Sequence, residues 1–473
     1  MKNLYIALLA MVGLCCNQVT EAQPTWTVGS TTLTELDLVT GIQLPWEILW
    51  GPDDQIWCTT RPGLVLRIDP ETGSFTTILN ITSQIFGGGS SEPGLLGMAL
   101  HPDFENNPNV YLVYVYSAGV SPKERLSMFT WNGSQLVDEQ VLIDEIPAAY
   151  IHDGSRLLIT PDNKLLMTTG DTGNGGAVSQ QIGALNGKTL RINLDGSIPD
   201  DNPDPESYVW SWGHRNGQGL CVGPTGIIYE SEHGQNNSDE LNIIEMGRNY
   251  GWPTVEGMCN TANEITFCEA NNVMEPLKEW SPCVAVNGLG YYNHPAIPEW
   301  QNSLIMGVMG GLGGTNGSND RVSVLHLSED GLTVTSEDKY FTSLNQRFRD
   351  VCFNPTTGAV YVALNGSSYP GQGPNKIKEF VNLAYGNNQV ANASSSQEVT
   401  LYPNPAKDSI QLDLSSSFLG STILVYSNNG KLQMEVPVEN AKMQLDVHSL
   451  GRGNYWLSVT SPQGTVTRAF QLN

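Results

Sequence analysis

One degenerate phrase recurs six times along this chain and limits what it can fold into. It is a turn carrying Pro-Asp or Gly, then an apolar strand, then small polar residues. Clear copies are Gly51-Pro-Asp-Asp-Gln-Ile-Trp-Cys-Thr-Thr60, Thr160-Pro-Asp-Asn-Lys-Leu-Leu-Met-Thr-Thr169 and Asn354-Pro-Thr-Thr-Gly-Ala-Val-Tyr-Val362. Further copies centre on Pro102 and Pro224, with a weaker one at Pro298. Repeats of this length made of short strands indicate propeller blades, and radial repetition shields strand edges around a central channel. With 49 Gly, 27 Pro and no long amphipathic helical pattern, the chain reads as all-β, a six-bladed β-propeller. The competing reading, ordinary hairpins in unrelated sandwiches, does not account for the recurrence.

The texture changes near residue 383. Residues 383–398 are small and polar and read as a linker. From Val399 alternating strands such as Ser409-Ile-Gln-Leu-Asp-Leu414 and Ile423-Leu-Val-Tyr426 predict a small C-terminal β-sandwich over 399–473. At the other end, Met-Lys-Asn, an apolar run from Leu4 to Cys16 and small residues before Gln23 read as a signal peptide over 1–22, cleaved after Ala22. A lipobox at Cys15 or Cys16 fits poorly, because Leu14 is large. The propeller is expected over 23–382. No later segment is apolar enough to be a transmembrane helix.

Export leaves six of the eight cysteines. An oxidising compartment permits a local disulfide between Cys259 and Cys268, whereas Cys58, Cys221 and Cys352 sit in strand-like runs and read as buried fillers. The formal net charge of -25 argues against nucleic acid or an anionic membrane as partner. No dinucleotide-binding glycine motif, Walker loop or Gly-x-Ser-x-Gly elbow is present.

Three polar clusters stand beside the repeats. His152 precedes one repeat strand, and Asp171 follows nineteen residues later, beyond that strand and its turn. A carboxylate near an imidazole fixes its tautomer and raises its basicity, so His152 is a candidate general base; a histidine beside a turn also serves structure. Arg215 and Asn216 lie in Trp212-Gly-His-Arg-Asn-Gly-Gln-Gly219, and Arg347 and Arg349 alternate in an extended run and point to one side. Such guanidinium forks suit carboxylates, of a ligand or of a surface ion pair. The stretch Glu230-Ser-Glu-His-Gly-Gln-Asn-Asn-Ser-Asp-Glu240 is rich in oxygen donors, which suits Ca2+ or a solvated turn, and it lacks EF-hand spacing.

Taken together, Gly94-Leu-Leu-Gly-Met-Ala-Leu-His-Pro-Asp-Phe104, Leu190-Arg-Ile-Asn-Leu-Asp-Gly-Ser-Ile-Pro199, Gly213-His-Arg-Asn-Gly-Gln-Gly219 and Arg347-Phe-Arg-Asp350 resemble the soluble glucose/sorbosone dehydrogenases that use pyrroloquinoline quinone (PQQ). The resemblance runs over about residues 38–382. It implies a six-bladed propeller that oxidises the anomeric hydroxyl of an aldose to a lactone and passes electrons to an external acceptor. It implies His152 as base, Asp171 as its orienting partner and Arg215 as the group that stabilises charge on the quinone. Asn216, Arg347 and Arg349 would hold PQQ, and the carbonyls of Gly234 and Gln235 would bind Ca2+.

Three departures bear on this expectation. Glu92 stands where the family has a substrate-side glutamine, and Cys283 where it has a cofactor-contacting threonine. No lysine follows Gly307, so one cation for the cofactor is lost near Gly310. From Val399 the tail resembles the C-terminal sorting domain of type IX secretion, which implies that machinery as partner and a secreted or surface-attached protein. A non-catalytic glycan- or protein-binding propeller and a sugar-lactone hydrolase are the alternative functions.

Overall fold

Each repeated turn joins the first two strands of an antiparallel sheet. Pro52 lies between strands Pro45–Trp50 and Ile56–Thr60, Pro102 between Leu95–Leu100 and Asn109–Ala118, and Pro161 between Gly154–Ile159 and Lys164–Thr169. Pro224, Pro298 and Pro355 occupy the same place after strands Gly217–Val222, Val286–Tyr292 and Phe348–Phe353. Proline is tolerated there because a turn asks for its fixed φ and not for its missing N–H. The computed structural model describes residues 23–385, apart from 90, 120, 311–318, 370 and 372, and residues 399–472, apart from 405, 428–431, 462 and 463. The expected signal peptide and most of the expected linker lie outside the described residues.

The chain divides into two compact units, 1–381 and 382–473. The described part of the first contains six antiparallel sheets, five of four strands and one of five. Their first strands, the six just named as flanking the turns, lie side by side in chain order, and Phe348–Phe353 returns to pack beside Pro45–Trp50. The ring therefore closes. The last sheet is sewn by both ends of the unit, since Thr31–Thr40 pairs antiparallel with Asn375–Val381 from Thr34↔Val381 to Thr40↔Lys376. Lys378 Nζ reinforces this seam with ion pairs to Glu35 and to Asp37, the latter at 2.6 Å.

The same irregularity marks the start of every inner strand. The ladder slips between Pro45 and Ile48, Leu95 and Met98, Gly154 and Leu157, Gly217 and Gly219, Val286 and Leu289, and Phe348 and Asp350. A bulge frees a residue from the ladder and turns its side chain. Beyond the bulge the pairing resumes, and the alternating residues bury themselves between neighbouring sheets. Ile48, Ile56 and Cys58 thus meet Cys352, Tyr361 and Ile377, while Tyr229 and Leu241 meet Leu304 and Met306. Among the described residues no such apolar cluster joins the third and fourth sheets. Polar contacts run there instead: Thr168 Oγ1 donates to Gly217 O at 3.0 Å and Ser179 Oγ to His214 O at 2.6 Å.

Arg156 fills the centre of the ring. Its Nη1 lies 2.5 Å from Glu47 Oε1 and 3.2 Å from Asp350 Oδ2, its Nε donates to Gln218 O at 2.7 Å, and its guanidinium stacks 4.2 Å from the Trp46 ring. One buried side chain thereby ties the first, third, fourth and sixth sheets. Burial pushes the carboxyls of Glu47 and Asp350 up, and Arg156 pulls them back.

The second unit holds a three-stranded and a four-stranded antiparallel sheet, and the expected strands Ser409–Leu414 and Thr422–Ser427 belong one to each. Both contribute to one core that includes Ile410, Leu412, Val425, Leu457 and Phe470. In the first unit, Cys259 and Cys268 form the disulfide the sequence permits, between the segment before the helix Ala262–Asn271 and the helix itself, while Cys58, Cys221 and Cys352 are buried free thiols. No helix among the described residues is long and apolar enough to cross a membrane.

Replacing Arg156 by Met strands two buried carboxylates. Denaturant unfolding of Arg156→Met should show a loss of about 3–5 kcal/mol, partly restored when Glu47→Gln and Asp350→Asn are added.

Candidate active site

The bulges and the loops before them open onto one cavity of about 510 Å³ at the mouth of the channel. Trp46, Leu96, Gly154, Gln218 and Arg349 reach it from five of the six bulges, and Ala285 borders it beside the remaining one. The cavity gathers His152, Arg215, Asn216, Arg347, Arg349, Glu92, Gly234 and Gln235 from segments far apart in sequence.

His152 and Asp171 flank a hairpin of two paired strands rather than a single strand, and Gly154 pairs with Thr169 at its open end. His152 Nδ1 lies 2.7 Å from Asp171 Oδ1. The histidine holds a left-handed backbone, φ 59°, which its N–H bond to Glu92 Oε2 (3.0 Å) and the bond from Thr172 N–H to its carbonyl (3.2 Å) maintain. Gly170 is required here, since a Cβ at that position would stand 1.8 Å from His152 O. Burial alone would raise the Asp171 carboxyl. Hydrogen bonds from His152, from Gly173 N–H (2.8 Å) and from Trp252 Nε1 (2.9 Å) outweigh burial and hold Asp171 below the ordinary value.

Across the polar seam, Glu232 Oε1 accepts the backbone N–H groups of Arg215 and, at 3.2 Å, Asn216, and so shapes the turn before the fourth sheet. Arg215 Nη1 donates to His233 O at 3.0 Å, its guanidinium lies 5.3 Å from the Trp252 ring, and its buried Nε has no hydrogen-bond partner among the described residues. Asn216 Oδ1 accepts from Gly154 N–H and from Gln218 Nε2, both at 3.1 Å. His214 does not line the cavity. It sits behind the turn between Ser211 Oγ (2.8 Å) and Glu232 Oε2 (2.9 Å); burial opposes its charge, but Glu230 and Glu232 prevail and push it up to about 10.

Among the described residues neither Arg347 nor Arg349 forms an ion pair with a carboxylate. Arg347 donates to Met309 O (3.2 Å), and Arg349 to Asn287 Oδ1 (2.6 Å), Gln218 Oε1 (3.1 Å) and Asn365 Oδ1 (3.1 Å). Burial, then the like charges of Arg61, Arg347 and Arg156, drive the Arg349 pKa well below its ordinary value. Burial likewise lowers Arg347, and it brings Arg61 down to about 10. Gathering guanidinium groups in a largely buried site raises their energy until an anion arrives.

Over residues 42–370 the sequence matches the family model described as Glucose / Sorbosone dehydrogenase. The chain belongs to the glucose/sorbosone dehydrogenase family. It is accordingly an oxidoreductase, and its first unit is a β-propeller. Residues 400–473 match a second model, the secretion system C-terminal sorting domain. The quinoprotein glucose dehydrogenase B of Acinetobacter calcoaceticus is 37% identical over 250 residues, 46% of this chain and 52% of that protein, so the match spans about half the length of that relative. The aldose sugar dehydrogenase YliI of Escherichia coli is 28% identical over 340 residues, covering 68% and 88%. The solved PQQ-bound form of an aldose sugar dehydrogenase from Streptomyces coelicolor superposes with a TM-score of 0.62 at 27% identity and covers 76% of this chain and 99% of that one.

Within this dehydrogenase fold, two of the three expected departures take a definite form. Gly310 lines the cavity, and Asp320 Oδ1 lies 1.9 Å from where a Cβ at 310 would be, so a carboxyl fills the space of a longer side chain. Burial raises Asp320 to about 6, against the pull of Arg347. Residues 311–318 lie outside the described residues. Cys283 is not among the residues lining the cavity; its N–H donates to Asn236 O at 3.0 Å, behind the Gly234–Gln235 turn. At that turn the N–H groups of Gly234 and Gln235 bond Asp239 Oδ1 (2.9 Å) and Glu256 Oε1 (2.5 Å), and among the described residues the two carbonyls accept no hydrogen bond.

Sequence reasoning missed Arg61, Gln218, Trp252, Asp153 and Asp320. For Arg61 a signal existed, an arginine directly after a repeat strand in a chain with only 23 basic residues. Trp252 lies in Asn249-Tyr-Gly-Trp-Pro253, where nothing local indicates its partner eighty-one residues away.

Asp153 makes stability depend on pH. One of its oxygens accepts Ala149 N–H at 2.9 Å, the other is buried with no partner among the described residues, and burial raises the group to about 8. The folded protein then holds a proton that the unfolded chain releases near pH 4. Its contribution to stability declines as pH rises from about 4 to 8. Asp153→Asn preserves the Ala149 bond, and thermal unfolding across this range should show a shallower decline of Tm than in the wild type.

Proposed function

We propose that this protein is an exported aldose dehydrogenase that holds PQQ and Ca2+ in the channel-mouth cavity and oxidises the anomeric hydroxyl of a sugar to a lactone. The observation that carries this reading is the meeting, in one cavity, of the His152–Asp171 pair with half-buried Arg347 and buried Arg349, two cations held by neutral partners. A small polycarboxylate satisfies what those arginines lack. The unpartnered Nε of Arg215 and the unengaged carbonyls of Gly234 and Gln235 add a donor and two hard oxygen ligands. When bound, PQQ supplies a two-electron acceptor and Ca2+ a Lewis acid beside it.

The chain's own residues do the rest. Asp171 keeps the proton of His152 on Nδ1, so Nε2 is the free base that takes the proton of the sugar hydroxyl. Arg215 is fixed by Glu232, His233 O and Trp252 and offers preorganised positive charge to the oxidant. Arg347, Arg349 and Asn216 bind the cofactor, with Arg61 as a further cation in place of the one lost near Gly310. Glu92 faces the substrate while holding the His152 backbone. We assign Cys283 to support of the Gly234–Gln235 turn.

We read the six sheets as six propeller blades over residues 23–382, followed by a linker over 383–398 and a β-sandwich over 399–473 that addresses the protein to type IX secretion. The leader at 1–22 would take it across the inner membrane first.

Protein supplied with PQQ and Ca2+ should reduce an artificial electron acceptor when given aldoses. His152→Ala should lose at least about a hundredfold in kcat while taking up PQQ as the wild type does, read by absorbance titration. Glycan binding without PQQ uptake would replace this reading with a non-catalytic propeller, and lactone turnover with metal alone would replace it with a hydrolase.

A further inference from the structure

We infer that Trp252 is a positioning residue that fixes the His152–Asp171 pair and Arg215 relative to each other. The inference rests on the proposed roles of these three residues. Asp171 Oδ1 serves His152 Nδ1 (2.7 Å) and Gly173 N–H (2.8 Å), while the indole N–H of Trp252 is bound to Oδ2 at 2.9 Å. The carboxylate is 1% exposed, so water does not readily replace that donor. Without it one buried oxygen loses its partner, and the carboxylate is free to turn about its own axis. The face of the same indole lies 5.3 Å from the Arg215 guanidinium. One side chain thus meets a group in a loop of the third sheet, between its strands Lys164–Thr169 and Lys188–Asn193, and a group that precedes the fourth sheet, where among the described residues no apolar cluster joins the two.

Trp252 is itself held on several sides. Its backbone N–H donates to Gly213 O (2.9 Å), and its carbonyl accepts from Gln180 Nε2 (2.7 Å). A Cβ at Gly176 would come within 2.1 Å of the indole nitrogen, so the backbone there lies directly against the ring. The excursion that follows Trp252 is closed by the Cys259–Cys268 disulfide and returns through Met274 N–H to Asn249 O at 2.8 Å.

The indole N–H withdraws charge from Asp171 and so moderates how strongly the carboxylate holds a proton on His152. Removing the donor leaves a more basic carboxylate and a histidine that protonates at higher pH. The other charged or titratable groups lining the cavity around this pair are Glu92, Asp153, Arg215 and His233, with Arg61, Asp320, Tyr369, Arg347 and Arg349 also on its wall, and none of them changes in the variant.

The test is Trp252→Phe in the full chain, which keeps a ring beside Arg215 and removes the donor. In the unliganded protein, NMR titration of the histidine rings, with the His152 signal identified by its loss in His152→Gln, should show the His152 midpoint about half a unit to one unit higher. That is a roughly three- to tenfold change in the proton equilibrium. The acid limb of kcat/KM for aldose oxidation should move by the same amount. A uniform fall in kcat/KM at every pH, with the His152 midpoint unmoved, overturns the inference. Should Trp252→Phe not fold, Gly176→Ala drives a methyl into the indole nitrogen and should raise the midpoint in the same direction. If the midpoint rises but no aldose is oxidised even by the wild type, the positioning inference stands and the sugar-oxidation reading falls.

Discussion

The ring depends on one cation in its axis. Arg156 is only 2% exposed, and Glu47, Asp350, the Gln218 carbonyl and the Trp46 face are drawn to it from three other sheets. Two acids and one base buried together cost desolvation energy that hydrophobic residues of similar volume would not. What the arrangement secures is orientation. Glu47 lies next to Trp46, Asp350 next to Arg349, and Gln218 two residues from Asn216, so the network beneath the cavity sets the residues that line it. The floor is close to charge balance, whereas the wall above it carries Arg61, Arg215, Arg347 and Arg349 against Glu92, Asp153 and Asp320. Since burial raises Asp153 to about 8, the wall is more cationic near neutral pH than a formal count indicates.

Much of the architecture was legible in the sequence because it is local. The turn prolines marked every hairpin between an inner strand and its neighbour, and the expected boundary near 383 falls beside the division of the chain at 381. What escaped was non-local. The seam between Thr31–Thr40 and Asn375–Val381 joins residues about three hundred and forty positions apart, and no periodicity announces it. The bulges were hidden for another reason: a slip of one residue leaves the alternation of the strand intact on both sides of it.

The candidate site divides in the same way. His152, Asp171, Arg215, Asn216, Arg347 and Arg349 were found as polar clusters beside strands, and the fold brings the clusters together. Arg61 and Gln218 were passed over because each is a single polar residue among neighbours that read as turn or strand. His214, conspicuous as a sequence motif, lies behind the wall, where its charge balances Glu230 and Glu232. Cys283, expected to contact the cofactor, is not among the residues lining the cavity and bonds Asn236 O through its N–H.

The six slipped registers have an evolutionary consequence. Each sets one residue out of its ladder and lets pairing resume two or three positions later, so an exchange at that residue alters the chamber without disturbing the hairpin that carries it. Lineages built on this ring are free to trade one such position at a time. Inherited diversity in what they bind should therefore collect at Leu96, Gln218 and Arg349, while the outer hairpins drift under the weaker demand of staying folded.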